Sequence, residues 1–331
     1  VVRRRLRRRS AFVRIAGAGW ARPPTSAAIA GIPYRSIAGH LDMKGYTMIY
    51  LDYFTFPDAD KETSFIYTIL RTCYDSFYPF KILSAHYFER IDFEPVTILY
   101  GGNGSGKSTA LNVIAEKLQI QRDSIYNKSN FFPDYVNLCR YNLETKIPAN
   151  SRIITSDDVF DYILNIRTLN EGIDQKREEI FQEYIDVKHS EYQFKSLDDY
   201  ERLKKLNKAR NKTQSKFVRS ELIDNVREYS NGESAYMYFT QKIDEDGLYI
   251  LDEPENSLSP KRQMELAEYI FNAARFFGCQ FIISTHSPFL LAIPNAKIYD
   301  LDQNPVDIKR WTELENVRIY REFFKLHDNE F

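Results

Sequence analysis

The 331 residues carry 45 Lys plus Arg against 46 Asp plus Glu and are 43% hydrophobic. That balance excludes a global electrostatic pull toward nucleic acid, and no uninterrupted apolar run is long enough to span a bilayer, so no membrane half of a transporter lies within these residues. The three cysteines, Cys73, Cys139 and Cys279, are far apart and odd in number, which fits neither a disulfide framework nor a metal spacing and points to a reducing cytoplasm.

Residues 1–42 differ from the rest of the chain. They hold an arginine run (Arg3, Arg4, Arg5, Arg7, Arg8, Arg9), much Ala and Gly, and one acid, Asp42. From Met43 the chain turns rich in Lys, Asn, Ile, Tyr and Phe, residues mostly of AT-rich codons where Arg, Ala and Gly use GC-rich ones. Three readings compete: an organelle transit peptide, a basic arm for nucleic acid, or sequence translated upstream of a true start at Met43 or Met48. The last is favoured, with the segment expected to be extraneous or disordered and one domain over 43–331.

Met48 to Phe54, β-branched and aromatic, predicts a first strand stopped by Pro57-Asp58. Residues 62–94 hold Tyr67, Tyr74, Phe77, Tyr78, Phe80, Tyr87 and Phe88. Any one of these is more readily a core residue than an adenine stack. Pro95 to Tyr100 then reads as a buried strand running into Gly101-Gly102-Asn103-Gly104-Ser105-Gly106-Lys107-Ser108-Thr109. This fits G-x-x-x-x-G-K-[ST], the loop that holds nucleotide phosphates. Glycines let successive N–H groups converge on phosphate oxygens, and the following helix points its positive end at the same anion. Lys107 can reach the β- and γ-phosphates, and the Ser108 hydroxyl can ligate Mg2+. Leu111, Ile114, Ala115 and Leu118 give that helix an apolar face.

A polar stretch, Gln121 to Asn130, leads to Phe131-Phe132-Pro133. Ser151 to Tyr162 combines a short apolar strand with paired acids. From about 163 to 228 the pattern is charged and helical, with Leu197, Tyr200, Leu203, Leu206 and Phe217 on one face. Its basic run (Lys204, Lys205, Lys208, Arg210, Lys212, Lys216, Arg219) reads as a solvated face rather than a nucleic-acid contact. The stretch is too short for a long coiled-coil arm.

Tyr229 to Ser234 includes Ser230-x-x-Glu233, a capping box opening a helix. Leu248 to Leu251 predicts a buried strand ending in Asp252-Glu253-Pro254. Asp252 fits a metal-holding acid, and Glu253 is placed to take a proton from an attacking water. Ser259-Pro260 is an N-cap and first-turn pair. It opens a helix expected to bury Met264, Ala267, Ile270, Phe271 and Ala274, with Gly278 as its C′ residue. Gln280 to Thr285 is a further buried strand ending at His286, where open α/β sheets place ligands. A helix over Glu315 to Lys325 closes the chain.

The order of parts resembles the ATP-binding-cassette ATPases, in the soluble branch with SMC, RecF and related DNA-metabolism and defence ATPases. The parts are the phosphate loop, Ser-x-Gly-Glu, Asp-Glu after a strand and His after the next. The resemblance runs from about Met48 to the C-terminus. Its clearest stretches are Leu251 to Pro260 and Ser284 to Leu291.

It implies an α/β P-loop NTPase head with an antiparallel β portion near the N-terminus and a helical insert. Lys107 and Ser108 then bind phosphates and metal, Asp252 and Glu253 form Walker B, and Asn256, Ser257 and Leu258 face a partner. His286 senses the γ-phosphate, while Ser230, Asn231, Gly232 and Glu233 form the signature that binds ATP held by an opposite subunit. Two departures stand out. No Q-loop glutamine is evident near Ser156, Asp157 or Asp158, and Asn231 replaces a common glycine.

The implied activity is Mg2+-dependent ATP hydrolysis by an ATP-sandwich homodimer, in DNA metabolism or anti-phage defence, with nucleic acid and a separately encoded effector as partners. The alternatives are a transporter's nucleotide-binding subunit and a low-turnover nucleotide-gated scaffold.

Overall fold

The structure, a computed structural model, describes residues 48–69, 74, 76–189, 211–222 and 231–330, all within the unit Gly45–Phe331. The expectations for residues 1–42, Cys73, the helical face at 197–206 and Ser230 lie outside the described residues.

Two sheets organise the chain. The smaller is antiparallel, in the order β2-β1-β4, built from β1 (Leu51–Thr55), β2 (Arg90–Asp92) and β4 (Arg140–Leu143). This is the expected N-terminal antiparallel portion. The larger runs β5-β6-β7-β3-β8-β9. Its strands are β3 (Val96–Tyr100), β5 (Arg152–Thr155), β6 (Leu248–Asp252), β7 (Gln280–Ser284), β8 (Lys297–Asp300) and β9 (Asp307–Ile308). Pairing is parallel except between β8 and β9. Strands buried on both faces read as continuous apolar runs, which is why β3, β6 and β7 stand out in the sequence.

The pleat sorts their side chains between two cores. Leu99, Leu248, Ile250 and Ile282 face one core, with Phe54, Phe132 and Tyr135. Ile98, Tyr249, Leu251, Phe281 and Ile283 face the other, with Phe239, Leu266 and Ile270. In the first core lie α1 (Ala59–Thr68), α2 (Lys107–Lys117) and α3 (Phe132–Leu138). Leu111, Ile114 and Ala115 are buried as the periodicity predicts, with Leu118 packed at the margin.

The second core is covered by α4 (Ser156–His189), α6 (Asn231–Lys242), α7 (Pro260–Phe276), α8 (Pro288–Leu291) and the start of α9 (Glu315–Leu326). Far along α4, Ile180 and Tyr184 pack on Phe217 and Val218 of α5 (Gln214–Glu221), giving the helical part its own small core.

Three expectations need correction. Helix α4 begins at Ser156, not near 163, because Asp158 Oδ2 accepts from the Thr155 amide at 2.7 Å while Thr155 Oγ1 accepts from the Asp158 amide, a reciprocal cap. The buried stripe of α7 is Leu266, Ile270, Ala273 and Ala274; Met264 is exposed, and Ala267 and Phe271 are only partly buried. The Gln263 side chain fixes this rotation by donating to Leu258 O at 2.9 Å and accepting from Ser287 Oγ at 2.7 Å. Finally, β1 starts at Leu51, past the exposed Met48.

Candidate active site

Parallel register aligns the carboxyl ends of three strands. Leu99 of β3 pairs with Ser284 of β7, and Ser284 pairs with Asp252 of β6. Residues just past these strand ends converge at one edge, the position open α/β sheets use for ligands.

After β3 the chain turns through Gly101–Gly106 into α2. Gly106 is the N-cap with φ +92°, and a Cβ there would lie 2.9 Å from Leu83 Cδ2; only glycine meets both demands. Asn103 and Gly104 are exposed at the tip, whereas Ser105 is buried and donates its amide to Gly102 O. The Gly102 amide donates to both carboxylate oxygens of Asp302, at 2.7 and 2.8 Å. Thr109 Oγ1 meets Tyr78 OH at 3.2 Å.

Lys107 is 4% exposed and its Nζ donates to the Gly101 and Gly102 carbonyls at 2.7 and 3.0 Å. Burial pulls its pKa below the usual lysine value, against the opposing charge of Glu253.

At the end of β6, Asp252 Oδ1 accepts from Ser108 Oγ at 3.0 Å and, by a shorter bond, from Ser284 Oγ. Burial raises this carboxyl, and the two hydroxyls oppose the rise. Ser108 and Asp252 thus offer converging hard oxygen donors beside the phosphate loop. That set suits Mg2+, which takes one or two protein oxygens plus phosphate and water.

Glu253 sits in the left-handed region at φ 48°, ψ 54°, a costly backbone for a non-glycine and one that clusters at functional sites. Its amide is held by Ser284 O and Ser284 Oγ, both at 3.1 Å. Its carboxylate stands among Asn256 Nδ2 at 3.0 Å, His286 Nε2 at 3.5 Å and Lys107 Nζ at 3.9 Å. His286 is half-buried, and its ring meets Tyr100 edge-on. The structure therefore brings together Lys107, Ser108, Asp252, Glu253 and His286.

Asn231, Gly232 and Glu233 open α6 apart from this group. Asn231 accepts from Arg167 at 2.7 Å, Gly232 lies against the Ser257–Ser259 backbone, and Glu233 pairs with Arg262 at 3.2 Å. Asn256, expected to face a partner, is exposed and donates its Nδ2 to Glu253. Sequence reasoning missed Glu255, Asp302, Asn316 and Arg167. The sole sequence hint was Glu255's place in the Asp-Glu-Pro-Glu run.

A family model described as "ABC transporter" matches residues 90–256, half of the chain. One described as "AAA domain, putative AbiEii toxin, Type IV TA system" matches 225–292. No curated protein matches the sequence. Among solved structures, the SMC head domain of Pyrococcus furiosus, with an extended coiled coil, is 14% identical and covers 83% of this chain and 100% of its own, with TM-score 0.39. The Thermotoga maritima SMC head is 13% identical over 79% and 99%, with TM-score 0.35. A bacterial ABC transporter cassette in dimeric form is 12% identical over 68% and 90%, with TM-score 0.33.

Proposed function

We propose, from the premise that this chain belongs to the ATP-binding-cassette family of ATPases, that it hydrolyses ATP at the edge formed by β3, β6 and β7, between two copies of itself. The observation that carries the reading is the Glu253 carboxylate held within 4 Å of Lys107, His286 and Asn256, beside the Ser108–Asp252 pair.

The Gly101–Thr109 loop binds the phosphates through its amides, and Lys107 leaves the loop carbonyls for the β- and γ-phosphate oxygens. Ser108 and Asp252 would hold Mg2+, which would supply charge neutralisation at those oxygens. Glu253 takes the proton of a water whose oxygen attacks the γ-phosphorus as the bond to ADP breaks. His286 contacts the γ-phosphate. Ser230–Glu233 of a second copy complete the site under two-fold symmetry, so that ATP joins the copies and hydrolysis releases them.

The wider role we assign is DNA metabolism or anti-phage defence in the cytoplasm, with nucleic acid and a separately encoded effector. The defence reading is supported by the match to the AbiEii-type model over 225–292, and the DNA-metabolism reading by the resemblance in motif order. Among the described residues no helix is long and apolar enough to cross a membrane. The description of the other model favours a second reading, a transporter's nucleotide-binding subunit. ATPase stimulation by DNA or RNA supports the first, and stimulation only by membranes the second. Turnover near zero with Glu253 intact would point to a nucleotide-gated scaffold.

The direct test is Glu253→Gln. Turnover should fall about 10²–10⁴-fold while ATP binding persists, and an ATP-dependent dimer should accumulate in gel filtration. Full-rate hydrolysis removes Glu253 as the base.

A further inference from the structure

The carboxylate two positions beyond the candidate base has no part in the proposed hydrolysis, yet it is heavily committed at the sheet edge. Glu255 Oε1 accepts the backbone N–H of His286 at 2.5 Å and that of Ser287 at 3.2 Å. Its Oε2 is enclosed without a partner. Burial pushes the Glu255 carboxyl up, against the bond from the His286 amide.

His286 lies in the short link between β7, which ends at Ser284, and α8, which begins at Pro288. There the backbone N–H of His286 has left the strand ladder, and Glu255 supplies its acceptor. The far side of the same segment is held too, since Asn316 Nδ2 of α9 donates to His286 O at 2.7 Å. Ser287 Oγ donates to Gln263, whose amide donates to Leu258 O. The histidine's backbone is thus tied to the 3₁₀ turn Pro254–Ser257, which has Glu253 as its N-cap and contains Asn256.

We propose that Glu255 is the positioning residue for His286, its carboxylate fixing the His286 peptide so that the imidazole stays beside Glu253 and moves only with the Pro254–Ser257 turn. The inference rests on the reading of His286 as the γ-phosphate contact. One oxygen takes the His286 amide and shares the Ser287 amide with Thr285 Oγ1, and charge on that oxygen strengthens the bonds it accepts.

The test is steady-state ATP hydrolysis by the full chain and by Glu255→Ala, Glu255→Gln, His286→Ala and the double Glu255→Ala/His286→Ala, with ADP affinity measured in parallel. Glu255→Ala should lose about 10²-fold in kcat, as displacement of a reacting group by an ångström does. Its KM and ADP affinity should stay within about twofold of wild type. Glu255→Gln keeps an acceptor at the Oε1 position and should recover most of the rate. The double variant should be no slower than His286→Ala, since residues acting as one unit are not additive.

Wild-type kcat in Glu255→Ala beside a slow His286→Ala overturns the inference and leaves the reading of His286 standing. Wild-type turnover in His286→Ala overturns both. Independent, multiplying losses in the double variant, or a loss that KM and ADP affinity share, also overturn it. If Glu255→Ala fails to fold, Glu255→Asp, one methylene short of the His286 amide, replaces it with the same expectation and the same refutation.

Discussion

At Lys107 folding and binding pull in opposite directions. The ammonium is enclosed, and burial depresses its pKa, so keeping it charged costs the ligand-free protein stability. On the proposed reading its return would come only when phosphate oxygens replace the Gly101 and Gly102 carbonyls. Lys107→Ala should therefore weaken ATP binding by about 1.5–3 kcal/mol, the worth of a charged hydrogen bond, or roughly 10- to 150-fold in Kd. The melting temperature of the ligand-free protein should not fall. Unchanged ATP affinity by calorimetry would contradict the phosphate-loop assignment.

Lys107 and Ser108 were legible from the glycine-rich loop pattern after β3, and Asp252, Glu253 and His286 because they lie at or just past the ends of apolar strands, so residue type and position coincide in the sequence. Glu255, Asn316 and Asp302 were not. Each bonds a backbone atom, His286 N, His286 O and Gly102 N, lying 31, 30 and 200 residues away. A contact to a peptide group leaves no trace in the type of the residue contacted.

Among the elements, β7 does more than carry His286. Gln280 at its start is wholly buried, with Oε1 accepting from the Tyr50 and Leu51 amides and Nε2 donating to Leu51 O, all at 2.9 Å. One side chain thus links the larger sheet to Tyr50 and to Leu51, the first residue of β1, through three hydrogen bonds. Gln280→Leu keeps the volume but leaves two donors and one acceptor buried and unpaired. It should lower unfolding stability by about 2–5 kcal/mol, read from the urea midpoint; a change below about 1 kcal/mol would mean the two sheets do not depend on this bond set.

The strands with continuous apolar runs, β3, β6 and β7, were predictable. β4 (Arg140–Leu143) is largely exposed, and β8 and β9 are short with charged ends. Their pairing with distant strands decides their conformation, as is usual for β structure. The phase of α7 was misread for a similar reason. Two apolar stripes are available in its sequence, and Gln263 bonding across to Ser287 selects between them.

On the scale of the whole molecule, the arrangement is uneven within one copy. The strand ends collect Lys107, Ser108, Asp252, Glu253 and His286, whereas Asn231, Gly232 and Glu233 make their contacts with Arg167, Ser257–Ser259 and Arg262. The proposed two-copy sandwich would set the phosphate loop of one copy against residues 230–233 of the other, because two-fold symmetry makes every face-to-face contact occur twice. Each composite site would then take its loop from one copy and its signature from the other. Ser230→Arg, in a Glu253→Gln background, should bind ATP within about twofold of the parent while the ATP-dependent dimer disappears from gel filtration.

A mixing experiment makes the geometry decisive. With Glu253 intact, neither Lys107→Ala nor Ser230→Arg alone should hydrolyse ATP. In a mixed dimer, the intact loop of the Ser230→Arg copy faces the intact signature of the Lys107→Ala copy, and the second site carries both lesions. Combining the two inactive proteins should restore up to about half the wild-type rate per chain, one working site in two. A site built within a single copy gains nothing from mixing, so ATP-dependent dimers of Ser230→Arg together with no recovery on mixing would reject the sandwich.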